Sequence, residues 1–301
     1  MKRLIQISAL FLSIALHAQT AVNDDMLDLV ALGEAVMYSE TAEQRDSANA
    51  AFFVLLKDVV ADAEDPFRID FSEVKNLSVL DSDDGSLRVF TWLVPGFPGT
   101  ETFNGMLLRK MGKEDFRIIV LEDFADSLDA PEYRPLTAGQ WYGALYYQLH
   151  TVKDKNNTYH MLMGYRPHSE KVQQKLIDVI HIDEKGLLRF GAKIFDTPKL
   201  MDRVYQRPPY RLFFNYSYQA AATFRYRKEE GMIVLDHLSP PDDKPKGVWE
   251  FYGPDFSYDG LEFVKGRWVL REDISVESKL KQPLPSAPPK KDPQTGKVRI
   301  R

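Results

Sequence analysis

Residues 249–270 read WEFYGPDFSYDGLEFVKGRWVL, a stretch in which aromatic residues and two aspartates surround the glycines of tight turns. The dipeptides Asp259-Gly260 and Lys265-Gly266 are typical of two-residue hairpin loops, because glycine supplies the positive φ that such loops need. The apolar residues after each dipeptide favour short strands at 261–264 and 268–272. The stretch therefore predicts a hairpin of antiparallel strands.

The same pattern extends back through the chain to residue 74, with apolar residues at a period of two between turn residues. The connections are too short for the crossovers that parallel strands require, so we expect antiparallel sheet. The other predicted strands lie at 74–80, 87–94, 103–109, 116–121, 141–152, 158–165, 176–182, 187–195, 211–227, 232–238 and 248–252.

Residues 24–65 have the period of helices instead. Thr41 and Gln44 have the spacing of a capping box, and Phe52, Leu56 and Val60 fall on one face of the helix that follows. An earlier helix at about 25–38 carries a similar apolar side, so the two segments predict a helical hairpin.

Helices followed by strands indicate the α+β class, with an N-terminal helical hairpin and then a mostly antiparallel β-sheet domain. We expect a sandwich or a curved meander. The segment Ser82-x-Asp84-Gly85 is similar to the hairpin of some propellers, but it occurs once, so a propeller is the less favoured alternative.

The first 18 residues have the form of a secretory signal peptide: Lys2 and Arg3, a short apolar run, and a small residue at Ala18. The chain has no cysteine, which excludes disulfides, thiolate metal sites and the lipidated cysteine of a lipoprotein. We therefore predict a periplasmic or extracellular protein that is not a lipoprotein and keeps no transmembrane segment after cleavage. The predicted divisions are signal peptide 1–18, helical hairpin 19–66, β-rich domain 67–281 and a disordered, proline-rich basic tail 282–301.

The net charge of −5 argues against nucleic acid as a partner. An envelope or extracellular ligand, not identified by the sequence, is the expected partner. No motif for a cofactor is present, and no cofactor is predicted.

Three segments resemble an uncharacterised family of exported bacterial proteins: residues 82–92 (SDDGSLRVFTW), residues 232–241 (MIVLDHLSPP), and residues 251–260 (FYGPDFSYDG) with Gly266 and Trp268 behind them. The resemblance extends over about residues 25–273. It implies export and one shared architecture, but no activity, ligand or catalytic residue.

Two features could hold a metal ion. Asp255-x-Ser257-x-Asp259-Gly260 begins like a calcium loop, yet Gly266 occupies the position of the bidentate glutamate, which excludes an EF-hand. A two- or four-residue turn around Asn156-Asn157 places His150 and His160 on opposite faces of their hairpin, and only an odd-length loop would bring them together. No metal site is predicted.

The best group for acid–base chemistry is Asp236 and His237 with Asp255 and Asp259, and Glu250 and Glu262 lie near them in sequence. Paired carboxylates are the groups that glycosidases use. The alternative interpretation is that these acids are ordinary turn residues on the surface, and it is favoured because acids are common in turns.

Exposed aromatic rings could stack on sugars or peptides, and the candidates are Trp249, Tyr252, Tyr258 and Trp268. The sequence favours a non-enzymatic exported binding protein that uses this aromatic C-terminal half. One alternative is an exported hydrolase that uses acids between Asp236 and Glu262, with carbohydrate as a candidate substrate. The other is a structural or assembly subunit.

Overall fold

A computed structural model describes residues 24–96, 100–113 and 115–275. The fold consists of four layers: a pair of helices and then three β-sheets, with a separate apolar cluster between each pair of neighbouring layers. The predicted class is confirmed, since two helices precede a mostly antiparallel β domain. The predicted signal peptide at 1–18 and the predicted tail at 282–301 lie outside the described residues.

The two helices are α1 at 24–38 and α2 at Ala42–Asp62. The predicted capping box is confirmed: the Gln44 backbone N–H donates to Thr41 Oγ1, and the Thr41 backbone N–H donates to Gln44 Oε1, both at 3.2 Å. The buried face of α2 includes Phe52, Leu56 and Val60, as the spacing predicts. This face packs on the first sheet and fixes the helical layer.

Sheet I is formed by four antiparallel strands in chain order. They are β1 (Ser78–Asp81), β2 (Leu87–Val94), β3 (Thr102–Lys110) and β4 (Phe116–Glu122). Phe90 and Trp92 of β2 pack against the helices, whereas Leu87 and Val89 face the second sheet. Because both faces are covered, nearly the whole of β2 is apolar rather than alternating.

Sheet II is formed by β5 (Leu145–Asp154), β6 (Asn157–Pro167), β7 (Val172–Ile182), β8 (Leu188–Phe190) and β12 (Leu212–Ser217). Their order in the sheet is β12-β7-β6-β5, with β8 beside β7. Leu162 faces sheet I, and Met161 and Met163 face the third sheet. The ion pair of Asp178 and Arg211, whose side chains have no exposed surface, lies within this layer with Oδ2 and Nε 3.1 Å apart.

Sheet III is formed by β9 (Phe195–Asp196), β13 (Phe224–Arg227), β14 (Met232–Ser239), β15 (Gly253–Val264) and β16 (Arg267–Arg271). Their order in the sheet is β13-β14-β15-β16-β9, and the short β9 runs parallel to β16. A small hairpin of β10 (Lys199–Leu200) and β11 (Arg203–Val204) lies apart from this sheet. The Gln148 side chain of β5 joins the edges of sheets II and III, because its amide accepts from the Tyr226 backbone N–H at 2.8 Å and donates to the Tyr226 carbonyl at 3.1 Å.

Four predictions about strands and turns were wrong. The single strand expected at 187–195 is interrupted after β8, which belongs to sheet II, and its last residue begins β9 of sheet III. The single strand expected at 211–227 is two strands, β12 and β13, in different sheets. Residues 248–252 contain the 3-10 turn Trp249–Phe251 rather than a strand. Asp259-Gly260 is not a turn, because β15 continues through it: Gly260 pairs with Val234 on one side and Arg271 on the other.

The hairpin loop in the opening stretch is Lys265-Gly266, where both residues have positive φ, as predicted. The β5–β6 turn pairs Asp154 with Asn157, and this register places His150 and His160 on opposite faces, also as predicted. Within the part of the chain that the structure describes, no helix is long and apolar enough to span a membrane.

Candidate functional site

The histidine His237 is the point at which the acids expected from the sequence meet. On strand β14 its Nδ1 lies 2.7 Å from Oδ2 of Asp259, and its Nε2 lies 4.0 Å from Oδ2 of Asp255. Asp255 and Asp259 both belong to the neighbouring strand β15. The imidazole therefore lies between two carboxylates.

A bulge in β15 brings these groups together. Asp236 pairs with Tyr258, and Leu238 pairs with Pro254. His237 of β14 therefore lies opposite three residues of β15, at 255–257. Phe256, in the middle of those three, has a φ of 71°, and 92% of its surface is exposed. Because the extra residues bend β15, Asp255 and Asp259 reach the same histidine from either side of the bulge.

The buried carboxylate of Asp259 orients the imidazole. Asp259 is only 2% exposed, and its second oxygen, Oδ1, accepts a hydrogen bond from the Asp273 backbone N–H at 3.1 Å. The hydrogen bond to Asp259 is the largest cause that raises the pKa of His237 above its ordinary value, and the charges of Asp259, Asp255 and Asp202 act in the same direction. Burial of the ring opposes this effect but does not overcome it.

Asp255 remains a carboxylate because serines bind it. Burial alone raises its pKa, but hydrogen bonds from Ser257 and Ser239 outweigh burial and lower it. Oδ1 accepts from the backbone N–H and the hydroxyl of Ser257, at 3.0 and 2.7 Å, and Oδ2 accepts from the Ser239 hydroxyl at 3.1 Å. The site thus offers a protonatable imidazole, two carboxylates and two hydroxyls.

A buried tyrosine close to Asp255 in sequence binds the small hairpin of β10 and β11. Tyr252 is 1% exposed, and its hydroxyl donates to Oδ2 of Asp202 at 2.8 Å and accepts from the Gly247 backbone N–H at 2.7 Å. Lys246 lies on the other oxygen of Asp202, with Nζ 3.5 Å from Oδ1. Tyr252 therefore has a structural role, and although it belongs to the lining of a surface depression, almost all of its ring is covered by protein.

A surface groove runs past Asp255. It consists of two adjoining depressions of about 370 and 460 Å³ that share Ser217, Gln219, Glu250 and Phe251. Lys171 and Tyr218 line the first depression, and Ser239, Pro254 and Asp255 line the second. We call this the Phe251 groove.

The Phe251 groove carries more acidic than basic side chains, because Glu170 and Asp255 line it in addition to Lys171 and Glu250. Lys171 pairs with Glu250, with Nζ 3.0 Å from Oε2. The other groups that line the shared part are a hydroxyl, an amide and the ring of Phe251, so the groove presents hydrogen-bonding groups beside an aromatic ring. The ammonium of Lys244 lies over this ring, 5.4 Å from its centre.

Two other candidates lie elsewhere than expected. Asp236 is separate from the His237 cluster: its Oδ2 accepts from the Thr223 backbone N–H at 2.6 Å, and its neighbouring charges include Lys175. Trp268 is fully buried, and its indole N–H lies 3.2 Å from the sulfur of Met161, so this ring belongs to the core and cannot stack on a ligand.

The remaining candidates are half-buried at the margin of the site. Trp249 lies under the guanidinium of Arg203, 5.4 Å from it, and Tyr258 pairs with Asp236 across the strands. Glu262 is bound to Arg271 at 2.8 Å and has no contact with His237. Of the two additional acids, only Glu250 lies in the groove.

The sequence did not identify Asp202, Ser239 or Gln219 as part of this region. Asp202 lies on a separate two-stranded hairpin, so no spacing rule links it to Tyr252. Ser239 could have been found, because it follows His237 by two residues and a strand places such residues on one face.

Among the described residues, no group of three histidine, aspartate or glutamate side chains is arranged to hold a metal ion. Comparison of the chain with family models, with curated proteins and with solved structures finds no match. The resemblance to exported bacterial proteins therefore stays a prediction.

Proposed function

We propose that this protein is an exported, non-enzymatic binding protein that holds a glycan of the cell envelope in the Phe251 groove. The observation that carries the proposal is the lining shared by the two depressions: the ring of Phe251 beside the polar groups of Ser217, Gln219 and Glu250. Sugars present apolar faces and many hydroxyls, and protein sites bind such ligands with rings and a few placed polar groups.

The charge of the groove also favours an uncharged ligand. Lys171, the one lysine among the described residues of the lining, is paired with Glu250, and Glu170 and Asp255 add two further carboxylates, so the lining disfavours an anionic ligand. The two depressions adjoin one another, which suits an extended chain better than a single small molecule. A short oligosaccharide meets both conditions.

The test is binding of short soluble oligosaccharides, measured by calorimetry, with the single variants Phe251→Ala and Phe256→Ala. Phe251 lines the groove, whereas Phe256 is more exposed but lies outside it, so the second variant is a matched control. Removing an aromatic ring at the centre of a binding surface costs about 2 kcal/mol. We expect Phe251→Ala to weaken binding by about tenfold or more and Phe256→Ala to leave it unchanged.

A second candidate function, hydrolysis, is favoured by the contact between His237 and Asp259. A buried carboxylate on Nδ1 holds an imidazole in one orientation, which is how a general base is positioned. This function predicts turnover of chromogenic glycosides or esters that is lost in His237→Gln. Binding of oligosaccharide without any release of product would support the binding protein instead.

A further inference from the structure

A pocket of about 310 Å³ lies between sheets I and II. Asp84, in the turn that joins β1 to β2, and Arg109, near the end of β3, line it from sheet I. Asn156, Asn157 and Thr158 line it from the β5–β6 turn and the start of β6. The pocket therefore combines a carboxylate, a guanidinium and neutral hydrogen-bonding groups.

The guanidinium of Arg109 is available to a ligand. Among the described residues it makes one hydrogen bond, from Nη1 to the Gly186 carbonyl at 3.3 Å. No ion pair between described residues includes Arg109, so Asp84 does not contact it directly although both line the pocket. Because a guanidinium carries five N–H donors in a planar fork, Arg109 can bind the carboxylate of a ligand.

The β1–β2 turn holds Asp84 as a carboxylate. Its Oδ1 accepts three hydrogen bonds, from the Ser82 hydroxyl and from the backbone N–H and hydroxyl of Ser86. Burial raises the pKa of Asp84, but the hydrogen bonds from Ser86 and Ser82 outweigh burial and lower it. No hydrogen bond or ion pair between described residues involves Oδ2, so this oxygen can accept from the ammonium of a ligand.

The other cation of the lining, Lys110, is directed to the opposite side of sheet I. Arg109 and Lys110 are consecutive residues of β3, so their side chains leave opposite faces of the sheet. The ammonium of Lys110 lies 5.3 Å from the centre of the Phe67 ring, which packs in the cluster between sheet I and the helices. Arg109 and Asp84 are therefore the charges that a ligand between the two sheets meets.

The neutral part of the lining suits a peptide group. Side-chain amides both donate and accept hydrogen bonds, as a peptide group does. No hydrogen bond between described residues uses the side chains of Asn156, Asn157 or Thr158, so these groups are available to a ligand. Ile182, at the end of β7, is 38% exposed and offers an apolar contact.

We propose that this pocket binds a short peptide with free termini, whose carboxylate contacts Arg109 and whose ammonium contacts Asp84. The amides of Asn156 and Asn157 hydrogen-bond the peptide group, and Ile182 contacts an aliphatic side chain. An anion alone would be repelled by Asp84 and a cation alone by Arg109, so the lining favours a ligand that carries both charges. The volume lies at the lower end of the range of about 300–1,000 Å³ for ligand pockets, which suits a dipeptide.

The peptide pocket is separate from the Phe251 groove. Ile182 lies at one end of β7, and Lys171 of the groove directly precedes the other end. The eleven residues of β7 extend over roughly 33 Å at about 3.3 Å for each step. Failure of one proposal therefore leaves the other unaffected.

The test is calorimetric titration of the full chain with alanylalanine at physiological salt, in comparison with three analogues. N-acetylalanylalanine lacks the ammonium, alanylalaninamide lacks the carboxylate, and free alanine lacks the peptide group. We expect saturable binding of alanylalanine and at least about tenfold weaker binding of each analogue.

Two variants assign each end of the peptide to its residue. Arg109→Gln should weaken the binding of alanylalanine by about tenfold or more and remove its advantage over alanylalaninamide. Asp84→Asn keeps a side-chain oxygen for the serine hydrogen bonds of the turn, and it should remove the advantage of alanylalanine over its acetylated form. Arg117→Gln is the matched control: Arg117 pairs with Arg109 in the strand register but does not line the pocket, so this variant should bind as the wild type does.

The melting temperature of each variant verifies that it is folded. Absence of saturable alanylalanine binding to the wild type would overturn the proposal. Equal affinity for any of the three analogues, unchanged affinity in folded Arg109→Gln or Asp84→Asn, or an equally large loss in Arg117→Gln would overturn it as well.

Discussion

Replacing Asp259 by asparagine should lower the pKa of His237, because the contact of 2.7 Å between them is the largest cause of its raised value. A hydrogen bond to a charged group contributes about 1.5–3 kcal/mol, and about 1.4 kcal/mol corresponds to one pKa unit. Since 28% of the His237 side chain is exposed, we expect the lower end of this range. The charged imidazole should lose about 1.5 kcal/mol of stabilisation, and the pKa should fall toward its ordinary value.

The same substitution should change how stability depends on pH. The pKa of His237 is raised in the folded state, so its stabilising contribution is fully present below the unfolded value of 6.5 and is lost as the pH rises through the folded value. Asp259→Asn should therefore lose more stability relative to the wild type at pH 5 than at pH 8.

NMR titration of the imidazole protons and urea denaturation at several pH values measure these two effects. Asp236→Asn is the matched control, because Asp236 precedes His237 in sequence but contacts Thr223 instead. A wild-type His237 pKa at or below 6.5, or a value that Asp259→Asn leaves unchanged, would refute the reasoning.

Removing one partner of the buried ion pair, as in Asp178→Ala, should destabilise the fold by about 3–5 kcal/mol in urea denaturation, since Arg211 would keep a buried charge without its partner; a cost under 1 kcal/mol would contradict this. Asp255→Ala should cost about 0.5–2 kcal/mol with or without calcium, because it removes hydrogen bonds that set the local backbone; a calcium-dependent rise in melting temperature that the variant loses would instead indicate a cation site. Mass spectrometry of the protein recovered from cells should find a mature N-terminus at or near Gln19, and an intact Met1 would exclude cleavage. Truncation after Gln282 should leave the melting temperature unchanged, because a tail rich in proline and charge has few apolar side chains to bury. A drop of many degrees would show that the tail packs on the fold.

Local signals in the sequence were sufficient for much of the architecture. The capping box at Thr41 begins α2. Strand β2 has the predicted limits because a turn at Gly85 precedes its apolar run and Pro95 follows it. These elements depend on interactions between residues close in sequence, which sequence patterns record.

The errors occur where partners distant in sequence decide the structure. Residues 253–264 form one strand through Asp259-Gly260 because β14 and β16 supply hydrogen bonds on both sides, which overrides the turn preference of that dipeptide. The segment 211–227 divides between two sheets for the same kind of reason: β12 pairs with β7 and β13 pairs with β14.

The candidate site was predictable in part. His237, Asp255 and Asp259 were identified, but their contact depends on a bulge that no spacing rule in the sequence reports. The buried positions of Tyr252 and Trp268 follow from the stacking of sheet III on sheet II, which aromatic composition alone does not reveal.

The most direct test of the central claim, that the Phe251 groove binds a glycan, is an NMR titration of the isotope-labelled protein with a short soluble oligosaccharide. The account predicts saturable shifts of the backbone signals of Ser217, Gln219, Glu250 and Phe251, no such shifts at the far end of β7 around Ile182, and no cleavage of the sugar. Saturable shifts confined to another surface, or release of shorter sugars during the titration, would contradict it.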